Sequence, residues 1–307
     1  MIAKEPFSIR WSKNFQKTKH IYLMLVPVLG FYIIFHYIPM GGAVVAFQDY
    51  KPALGFFDSK WVGFQHFKDF LGGPYVFRLI RNTVLLNVYQ ILFGFPAPIL
   101  LALFINEIGN KSYKKLVQTV SYMPHFISLV VICGLLQTFC RTGGLFNDFL
   151  VFFGAERTNL LARAELFRAI FVSSGVWQQI GWGSIIYLAT LSTVDPNLYE
   201  AAAIDGAGRI RRMISISFPS LVPVITIQLI MRLGNILTQG FEKIILLYSP
   251  LIYETSDVIS SYVYRRGLIQ MDYSFGSAVG IFNSVINLTI LVLANQIARR
   301  TVRESLW

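Results

Sequence analysis

Apolar residues occur along this chain in long runs, separated by short polar and basic segments. Six of these runs are long enough to cross about 30 Å of hydrocarbon as helices, at about 1.5 Å per residue. We place them at residues 21–46, 82–105, 116–139, 168–191, 220–238 and 276–297. Strands of a membrane barrel would alternate polar and apolar residues over about ten positions, and that pattern is absent. The pattern predicts an all-α integral membrane protein with six transmembrane helices.

Composition agrees with a membrane location. Hydrophobic residues make up 54% of the chain and charged residues only 14%, which is too little charge for the surface of a soluble domain. We expect a cytoplasmic N-terminal segment at 1–20, one membrane domain at 21–298 and a cytoplasmic tail at 299–307.

The formal net charge of +11 could suggest a nucleic-acid partner, but the distribution of the charge indicates topology instead. Lys and Arg are about twice as dense in one set of segments, 1–19, 106–115, 192–219 and 298–307, as in the alternate set, 47–80, 140–166 and 238–275. Because cytoplasmic loops carry the excess of basic residues, the first set is expected inside, near membrane lipid. Both termini are then cytoplasmic, and no nucleic-acid partner is expected.

The segment between the fourth and fifth runs, Glu200–Pro219, is polar and basic. Asp195-Pro196 is a helix-start signal, and the glycines of Asp205–Gly208 favour a helix end. A second short helix is predicted over Arg209–Phe218, with Pro219 ending the loop. The loop at about 195–219 is therefore either a docking surface for a partner or an amphipathic element on anionic lipid. Local chemistry leaves both interpretations open.

The order of residues in this loop resembles the EAA motif of binding-protein-dependent ABC importer permeases. Glu-Ala-Ala is followed after three residues by Gly206, and after nine more by Ile216, with Phe218-Pro219 at the end; only Phe218, where Leu is usual, departs from the motif. In that family the motif forms the coupling helix, which seats in a cleft of the ATPase subunit. The resemblance assigns ATPase coupling to Glu200, Ala201, Ala202, Asp205, Gly206, Arg209, Ile216 and Pro219.

Further segments are similar to the sugar and polysaccharide branch of these permeases, namely 22–50, 61–70, 121–128, 234–250 and 257–268. The resemblance implies the type I ABC importer permease fold and import of oligosaccharides across the bacterial cell membrane. It also implies a heterodimer with a second permease subunit, two ATP-binding subunits and an extracellular or lipid-anchored solute-binding protein. ATP and Mg²⁺ would be held by the ATPase partner, with no cofactor bound by this chain.

The sequence offers little support for catalysis. Gly109–Ser112 lacks the Gly-Lys-Ser/Thr order of a phosphate-binding loop, and no metal or nucleophile motif is present. His20, His36, His66 and His125 are interpreted as interfacial or hydrogen-bonded side chains. We therefore expect a permease rather than an enzyme. The alternative is an ion-coupled secondary transporter of a polar solute, which would need paired broken helices and buried carboxylates.

Polar residues within the spans are candidates for a translocation path, because such groups are costly against lipid. The amide candidates are Asn82, Asn87, Gln90, Gln178, Gln179, Asn283 and Asn287. Trp182 shares a helix face with Gln178 and could cover a sugar ring. Hydrogen bonds between helices explain the same residues and are the favoured interpretation at each position. Arg232, inside the fifth span, is expected to pair with a group such as Glu242 or to contact substrate.

Overall fold

The computed structural model describes residues 7–237 and 240–301, with side chains from residue 18 onwards. That part of the chain is built almost entirely of helices, apart from one short antiparallel strand pair, β1 (Gln48–Asp49) and β2 (Lys60–Trp61). The helices are α1 (Phe7–Tyr32), α2 (Ile38–Met40), α3 (Gly55–Asp58), α4 (Gln65–Leu71), α5 (Val76–Tyr89), α6 (Pro96–Asn106), α7 (Lys111–Tyr122), α8 (Leu129–Cys140), α9 (Leu145–Phe152), α10 (Ala164–Leu191), α11 (Pro196–Ile204), α12 (Arg209–Arg212), α13 (Phe218–Leu233), α14 (Phe241–Leu247), α15 (Tyr253–Ser256), α16 (Ile259–Val263) and α17 (Tyr273–Thr301).

Several of these helices join into longer stretches through π or 3₁₀ segments. Five stretches are long and apolar enough to cross a membrane, namely Thr18–Phe47, Val76–Asn106, Leu129–Phe152, Arg209–Leu233 and Tyr273–Thr301. The predicted span 168–191 lies in α10, which has 28 residues. It is not among the five, because its glutamines, serines and tryptophans lower its hydropathy. The count of six spans therefore stays a prediction.

The predicted third span, 116–139, is wrong as one continuous helix. Helix α7 ends at Tyr122, and a 3₁₀ segment with Pro124 near its start follows. Ser128 is extended, and its hydroxyl accepts a hydrogen bond from the Val131 amide at 3.3 Å, which begins α8. Proline and a serine cap together end one helix and start another, so the apolar stretch begins at α8 instead.

The second short helix predicted over 209–218 is also wrong, because the helix that begins at Arg209 continues to Leu233. Helix α12 passes through a π segment, Met213–Ser217, directly into α13. Pro219 lies in the first turn of α13 rather than ending the loop. The wider π turn accommodates the missing amide and the ring that would break a regular helix. The predicted fifth span, 220–238, ends as a helix at Leu233, and residue 238 lies outside the described part.

Helix α10 lies at the centre of the packing. One apolar cluster joins it to α5, α8 and α14, with Phe167 and Phe171 fully buried. A second joins it to α6 and α13 around Tyr187 and Leu221. A third, around Phe275, joins α4, α5, α16 and α17. The first apolar stretch, Thr18–Phe47, is the least buried of the five, since none of the residues in its most apolar part is buried.

Cys133 and Cys140 are both buried and unpaired on α8, as the seven-residue spacing predicts. Their separation along one helix is too large for a disulfide.

A close crossing in the core brings Gly181 of α10 against the backbone of α7. A Cβ at Gly181 would overlap the carbonyl group of Ser121. We expect Gly181→Ala to lower the stability of the protein by about 1–3 kcal/mol, because one of the two helices has to move. Gly134→Ala on α8 is the control, since a Cβ there has open space. Thermal unfolding in detergent measures both, and equal midpoints for the two variants would contradict this packing.

Candidate coupling loop and translocation cleft

The coupling loop begins with a capped helix, as predicted. The Asp195 carboxylate accepts from the Asn197 amide at 3.0 Å, and Pro196 occupies the first position of α11. The helix ends at Ile204, where the Ala207 amide reaches back to the Ala202 carbonyl at 2.8 Å. Such a closure needs a residue in the left-handed region, and Gly206 supplies it with φ of 76°.

Apolar side chains project from both sides of this turn. Ile204 is 87% exposed and Ile210 is 70% exposed, although each stands beside charged residues. Glu200, Ala201, Asp205 and Arg209 are also exposed, while Ala202 is half-buried. Large exposed apolar side chains rimmed by charge are typical of a surface that contacts a protein or a membrane.

Three arginines, Arg209, Arg211 and Arg212, lie at the start of the long helix that ends at Leu233. Positive charge at a helix N-terminus opposes the helix dipole. Within the described residues, the Nε atom of Arg212 is buried without a hydrogen-bond partner. The basic cluster therefore does not serve the stability of this helix, which favours a contact outside the chain.

A hydrogen bond that sequence reasoning missed ties the two arms of the loop together. The Tyr199 hydroxyl lies 3.0 Å from the Ser217 hydroxyl, and Ser217 is fully buried. Nothing in the sequence pairs these two residues. Ile216 is half-buried, and its carbonyl accepts from the Ser220 hydroxyl at 2.8 Å.

Two neighbouring cavities lie between α6, α10, α13 and α14, with volumes of about 610 and 530 Å³. Gly94 and Arg232 border both, so we treat them as one cleft. Trp182 borders the larger cavity and Gln178 the smaller. Gln90, the first residue of the π segment Gln90–Gly94 between α5 and α6, also borders the smaller one. Gln179 borders the smaller cavity as well, so the cleft gathers five of the predicted path residues.

Arg232 occupies the wall common to the two cavities. Its Nη2 donates to the Gln90 carbonyl at 3.4 Å, and its Nε is buried without a partner among the described residues. The predicted pairing with Glu242 is not formed: Glu242 is exposed and borders only the smaller cavity. The guanidinium is held beside the cleft with hydrogen-bonding capacity left over.

A second cation, Lys243, was missed by sequence reasoning. Its Nζ donates to the Phe171 carbonyl at 2.9 Å and to the Ser174 hydroxyl at 2.8 Å. It also lies 4.9 Å from the centre of the Phe171 ring. No carboxylate is paired with it in the described structure, although its side chain is only 6% exposed. Its position in the sequence, among the apolar residues of α14, gives no sign of these contacts.

The remaining predicted path residues have structural partners or lie elsewhere. Asn87 is buried and donates to the Thr83 carbonyl at 2.7 Å, beside a much smaller void. The Asn287 carbonyl oxygen accepts from the Leu237 amide at 3.2 Å, near the end of α13. Asn283 is buried, and its Oδ1 has no partner in the described residues. Neither Asn283 nor Asn287 borders the cleft.

Asn82, by contrast, is fully buried away from the cleft. Its side chain donates to the carbonyls of Glu254 and Asp257 at 2.8 and 2.9 Å, and accepts from Arg168 at 2.9 Å. It therefore links α5 and α10 to the segment around α15, as interhelical hydrogen bonding predicts.

Comparison with known proteins shows which family the chain belongs to. The family model described as "binding-protein-dependent transport system inner membrane component" matches residues 79–303. The LplB protein of Bacillus subtilis (strain 168) is 41% identical over 97% of this chain and 94% of its own length. The polygalacturonan/rhamnogalacturonan transport system permease protein YteP of the same organism is 42% identical over 94% of this chain and 90% of its own.

The fold is that of a solved transporter. A chain of a bacterial ABC transporter involved in the import of the acidic polysaccharide alginate superposes with a TM-score of 0.88 at 44% identity, covering 95% of this chain and 99% of that one. The same transporter in complex with an alginate pentasaccharide-bound periplasmic protein gives a TM-score of 0.88 at 43% identity, covering 96% and 99%. This protein therefore has the type I ABC importer permease fold and belongs to the family of binding-protein-dependent transport system inner membrane components.

Proposed function

We propose that this chain is the permease subunit of an ATP-driven importer of acidic oligosaccharides. The name of YteP refers to polygalacturonan, and the similar solved transporter imports alginate, which is described as acidic. Both are polymers of sugar acids, and each of these proteins is more than 40% identical to this chain. Their substrates support an acidic sugar chain as the substrate here.

The observation that carries the proposal is Arg232. A guanidinium at the centre of a transmembrane helix costs about 2.5–3.5 kcal/mol on insertion scales, and Arg232 lies near the end of a membrane-length helix. Its Nε has no partner in the described structure and no carboxylate is paired with it. A uronate carboxylate in the cleft would accept a charge-assisted hydrogen bond from the half-buried guanidinium. A neutral sugar offers no such group.

The coupling loop is proposed to receive the ATP-binding subunit. The coupling residues would be Glu200, Ala201, Ala202, Asp205, Gly206, Arg209, Ile216 and Pro219. The exposed Ile204 and Ile210 flank the turn. ATP and Mg²⁺ would be bound and used by that subunit alone. This assignment places the loop and both termini on the cytoplasmic side of a bacterial cell membrane.

The complete transporter is proposed to contain two different permease subunits and two ATP-binding subunits. An extracellular or lipid-anchored solute-binding protein would deliver the oligosaccharide, as the periplasmic protein in the similar complex suggests.

We expect Arg232→Gln to reduce uptake of an acidic oligosaccharide about tenfold or more. A hydrogen bond to a charged group contributes about 1.5–3 kcal/mol, and about 1.4 kcal/mol corresponds to a factor of ten. Arg232→Lys keeps the charge but not the planar donors, and an intermediate rate is expected. Initial uptake of alginate and polygalacturonan oligosaccharides into proteoliposomes with the whole transporter measures this.

Arg141→Gln is the matched control, because Arg141 lies in the exposed turn after α8 and borders neither cavity. Its uptake should equal that of the unmodified protein. Undiminished acidic uptake by Arg232→Gln would reject Arg232 as the carboxylate-binding residue. A wild-type complex that transports neutral but not acidic oligosaccharides would reject the acidic substrate class itself.

A further inference from the structure

The smaller cavity of the cleft has a second cation in its wall. Lys243 borders this cavity and is only 6% exposed. Its Nζ atom donates to the Phe171 carbonyl at 2.9 Å and to the Ser174 hydroxyl at 2.8 Å, and it lies 4.9 Å from the centre of the Phe171 ring. All of these partners are uncharged, so none of them balances the charge of the ammonium group. A buried cation without an opposite charge reduces the stability of a fold.

The ammonium group keeps its charge and one of its donors. Burial lowers the pKa of Lys243 to about 8, which still leaves most of the side chain protonated at neutral pH. An ammonium group has three N–H donors, and the hydrogen bonds to Phe171 and Ser174 use two of them. The third has no partner within the described residues. A charge and a donor are therefore left for an acceptor that the chain itself does not supply.

Glycines leave space beside both cations of the cleft. A Cβ at Gly175 would lie 3.5 Å from the Lys243 Nζ atom, and one at Gly94 would lie 3.4 Å from the Arg232 Nη2 atom. Both glycines border the smaller cavity. Because neither has a side chain, no methyl group stands over either cation at these positions. A group of a ligand in the smaller cavity can therefore approach each cation across a bare stretch of backbone.

No carboxylate of the described residues is paired with Lys243. Glu242 borders the same cavity, but it is exposed and forms an ion pair with neither Lys243 nor Arg232. The other titratable group close to the ammonium is Cys133 of α8, a free, buried thiol. The position of an anion beside Lys243 is thus left to a ligand.

The two cations follow one another along the cleft. Lys243 contacts α10 at Ser174, whereas the larger cavity borders α10 from Trp182 onwards, about 12 Å further along the helix at about 1.5 Å per residue. Arg232 borders both cavities and so lies between them. Helix α10 ends next to the coupling loop and begins at the opposite side of the membrane domain. A solute that enters from the side opposite to the coupling loop would meet Lys243 first and Arg232 next.

We propose that Lys243 is a second carboxylate-binding residue of the cleft, and that Lys243 and Arg232 hold two different carboxylates of one oligosaccharide. This inference rests on the proposed function, since it assumes an acidic oligosaccharide in the cleft. It narrows the substrate class to oligosaccharides that contain more than one sugar acid. Lys243 then selects for repeated charge, because an oligosaccharide with a single uronate cannot occupy both cations at once.

The test uses the whole transporter in proteoliposomes with its binding protein. The substrates are uronate trisaccharides from polygalacturonan and from alginate that carry three, one or no free carboxylates, the others being methyl esters. Uptake by each variant is expressed relative to the wild type for the same sugar, so that the preference of the binding protein cancels. Lys243→Gln removes the charge but keeps a hydrogen-bond donor for α10. It should reduce uptake of the form with three carboxylates about tenfold and leave uptake of the form with one close to wild type, because Arg232 suffices for one.

Gly175→Ala is a second variant, which leaves every hydrogen bond of Lys243 in place. Its methyl group would lie 3.5 Å from Nζ, an ordinary contact, and would cover the ammonium group on that side. Uptake of the form with three carboxylates should fall several-fold. Gly280→Ala is the matched control, because Gly280 lies inside α17, has open space around a Cβ and borders neither cavity, so its uptake of every form should equal that of the wild type. Recovery of the assembled complex and its thermal midpoint are measured for every variant.

The inference and the proposed function fail through different results. Wild-type uptake of the form with three carboxylates by Lys243→Gln, or an equal reduction for the forms with three and with one, would make Lys243 only a structural link between α14 and α10. If Lys243→Gln lowered recovery of the complex, Gly175→Ala would decide, with reduced uptake supporting the inference and wild-type uptake overturning it. A wild type that transports only the neutral form, or none of the trisaccharides, would reject the proposed function together with this inference. Loss of charged uptake in Arg232→Gln but not in Lys243→Gln would reject this inference alone.

Discussion

Replacing Gly206 by tryptophan is expected to abolish transport and the association of the ATP-binding subunit, while leaving the permease inserted in the membrane. Gly206 has φ of 76°, where a residue with a side chain costs about 1–2 kcal/mol. A Cβ at this position meets no atom of the chain within 4 Å. The indole would therefore project from the exposed turn into the space that the partner has to occupy. Copurification of the ATP-binding subunit with tagged permease measures the effect, together with uptake.

Gly208→Ala is the control, because it shows whether any substitution of a loop glycine prevents association of the ATP-binding subunit. Gly208 has φ of −66° and open space around a Cβ, so alanine fits there without strain. Normal copurification is expected. Asp205→Arg should also prevent association, by reversing a charge on the proposed docking surface. If the ATP-binding subunit were recovered in full with Gly206→Trp, the loop would not be the docking site.

Removing the carboxylate of Asp257 should destabilise the protein by about 3–5 kcal/mol, the range measured when one partner of a buried ion pair is deleted. Asp257 is fully buried and accepts from both Nη atoms of Arg265 at 2.8 Å. It also accepts from the Ser261 hydroxyl at 2.8 Å and faces Arg78 at 3.5 Å. Asp257→Ala leaves two arginines without their common partner.

The charge state of this pair supports the same expectation. Burial lowers the pKa of Arg265, but the hydrogen bonds and the charge of Asp257 outweigh it and place the pKa above its ordinary value. The guanidinium is therefore charged in the folded protein at any ordinary pH. Because a guanidinium is not deprotonated in proteins, removing the Asp257 carboxylate leaves Arg265 charged and without its partner.

Thermal unfolding of Asp257→Ala is to be compared with that of Asp148→Asn. Asp148 pairs with Arg157 at 2.7 Å, but both side chains are about half exposed, so its removal should cost at most about 1 kcal/mol. Equal unfolding midpoints for the two variants would show that the buried Asp257 pair contributes no more to stability than the exposed Asp148 pair. The double change Asp257→Leu with Arg265→Met should recover part of the loss, because it removes the stranded charge.

Local signals made the coupling loop predictable from sequence. Asp195-Pro196 starts a helix and Gly206 ends it through contacts within a few residues, so the structure of this part depends little on distant neighbours. The bounds of the helices were less predictable where two local signals compete. Pro124 breaks a helix, but Pro219 does not, because a π segment precedes it. Residue type alone does not distinguish these two prolines.

The cleft was predictable only in part, for a different reason. An amide in a span is favourable either beside a path or between helices, and composition does not decide between them. Gln90 borders the cleft, whereas Asn287 accepts a hydrogen bond from the end of α13. The contacts of Lys243 and His125 depend on residues more than fifty positions away, Phe171 and Gln179. Such pairings are set by tertiary packing and leave no periodic signal.

The unbroken helix from Arg209 to Leu233 has a mechanical consequence. Its 25 residues make a rod of about 37 Å, with the arginines of the loop at one end and Arg232 at the other. The helix continues through the π segment Met213–Ser217 and past Pro223, where it can bend, so a displacement of one end is partly transmitted to the other. A push on its inner end would therefore shift the Arg232 guanidinium against Gln90 and Gly94, which belong to a different helix. Loosening of a substrate carboxylate and motion of the motor subunit would then be a single event rather than two linked steps.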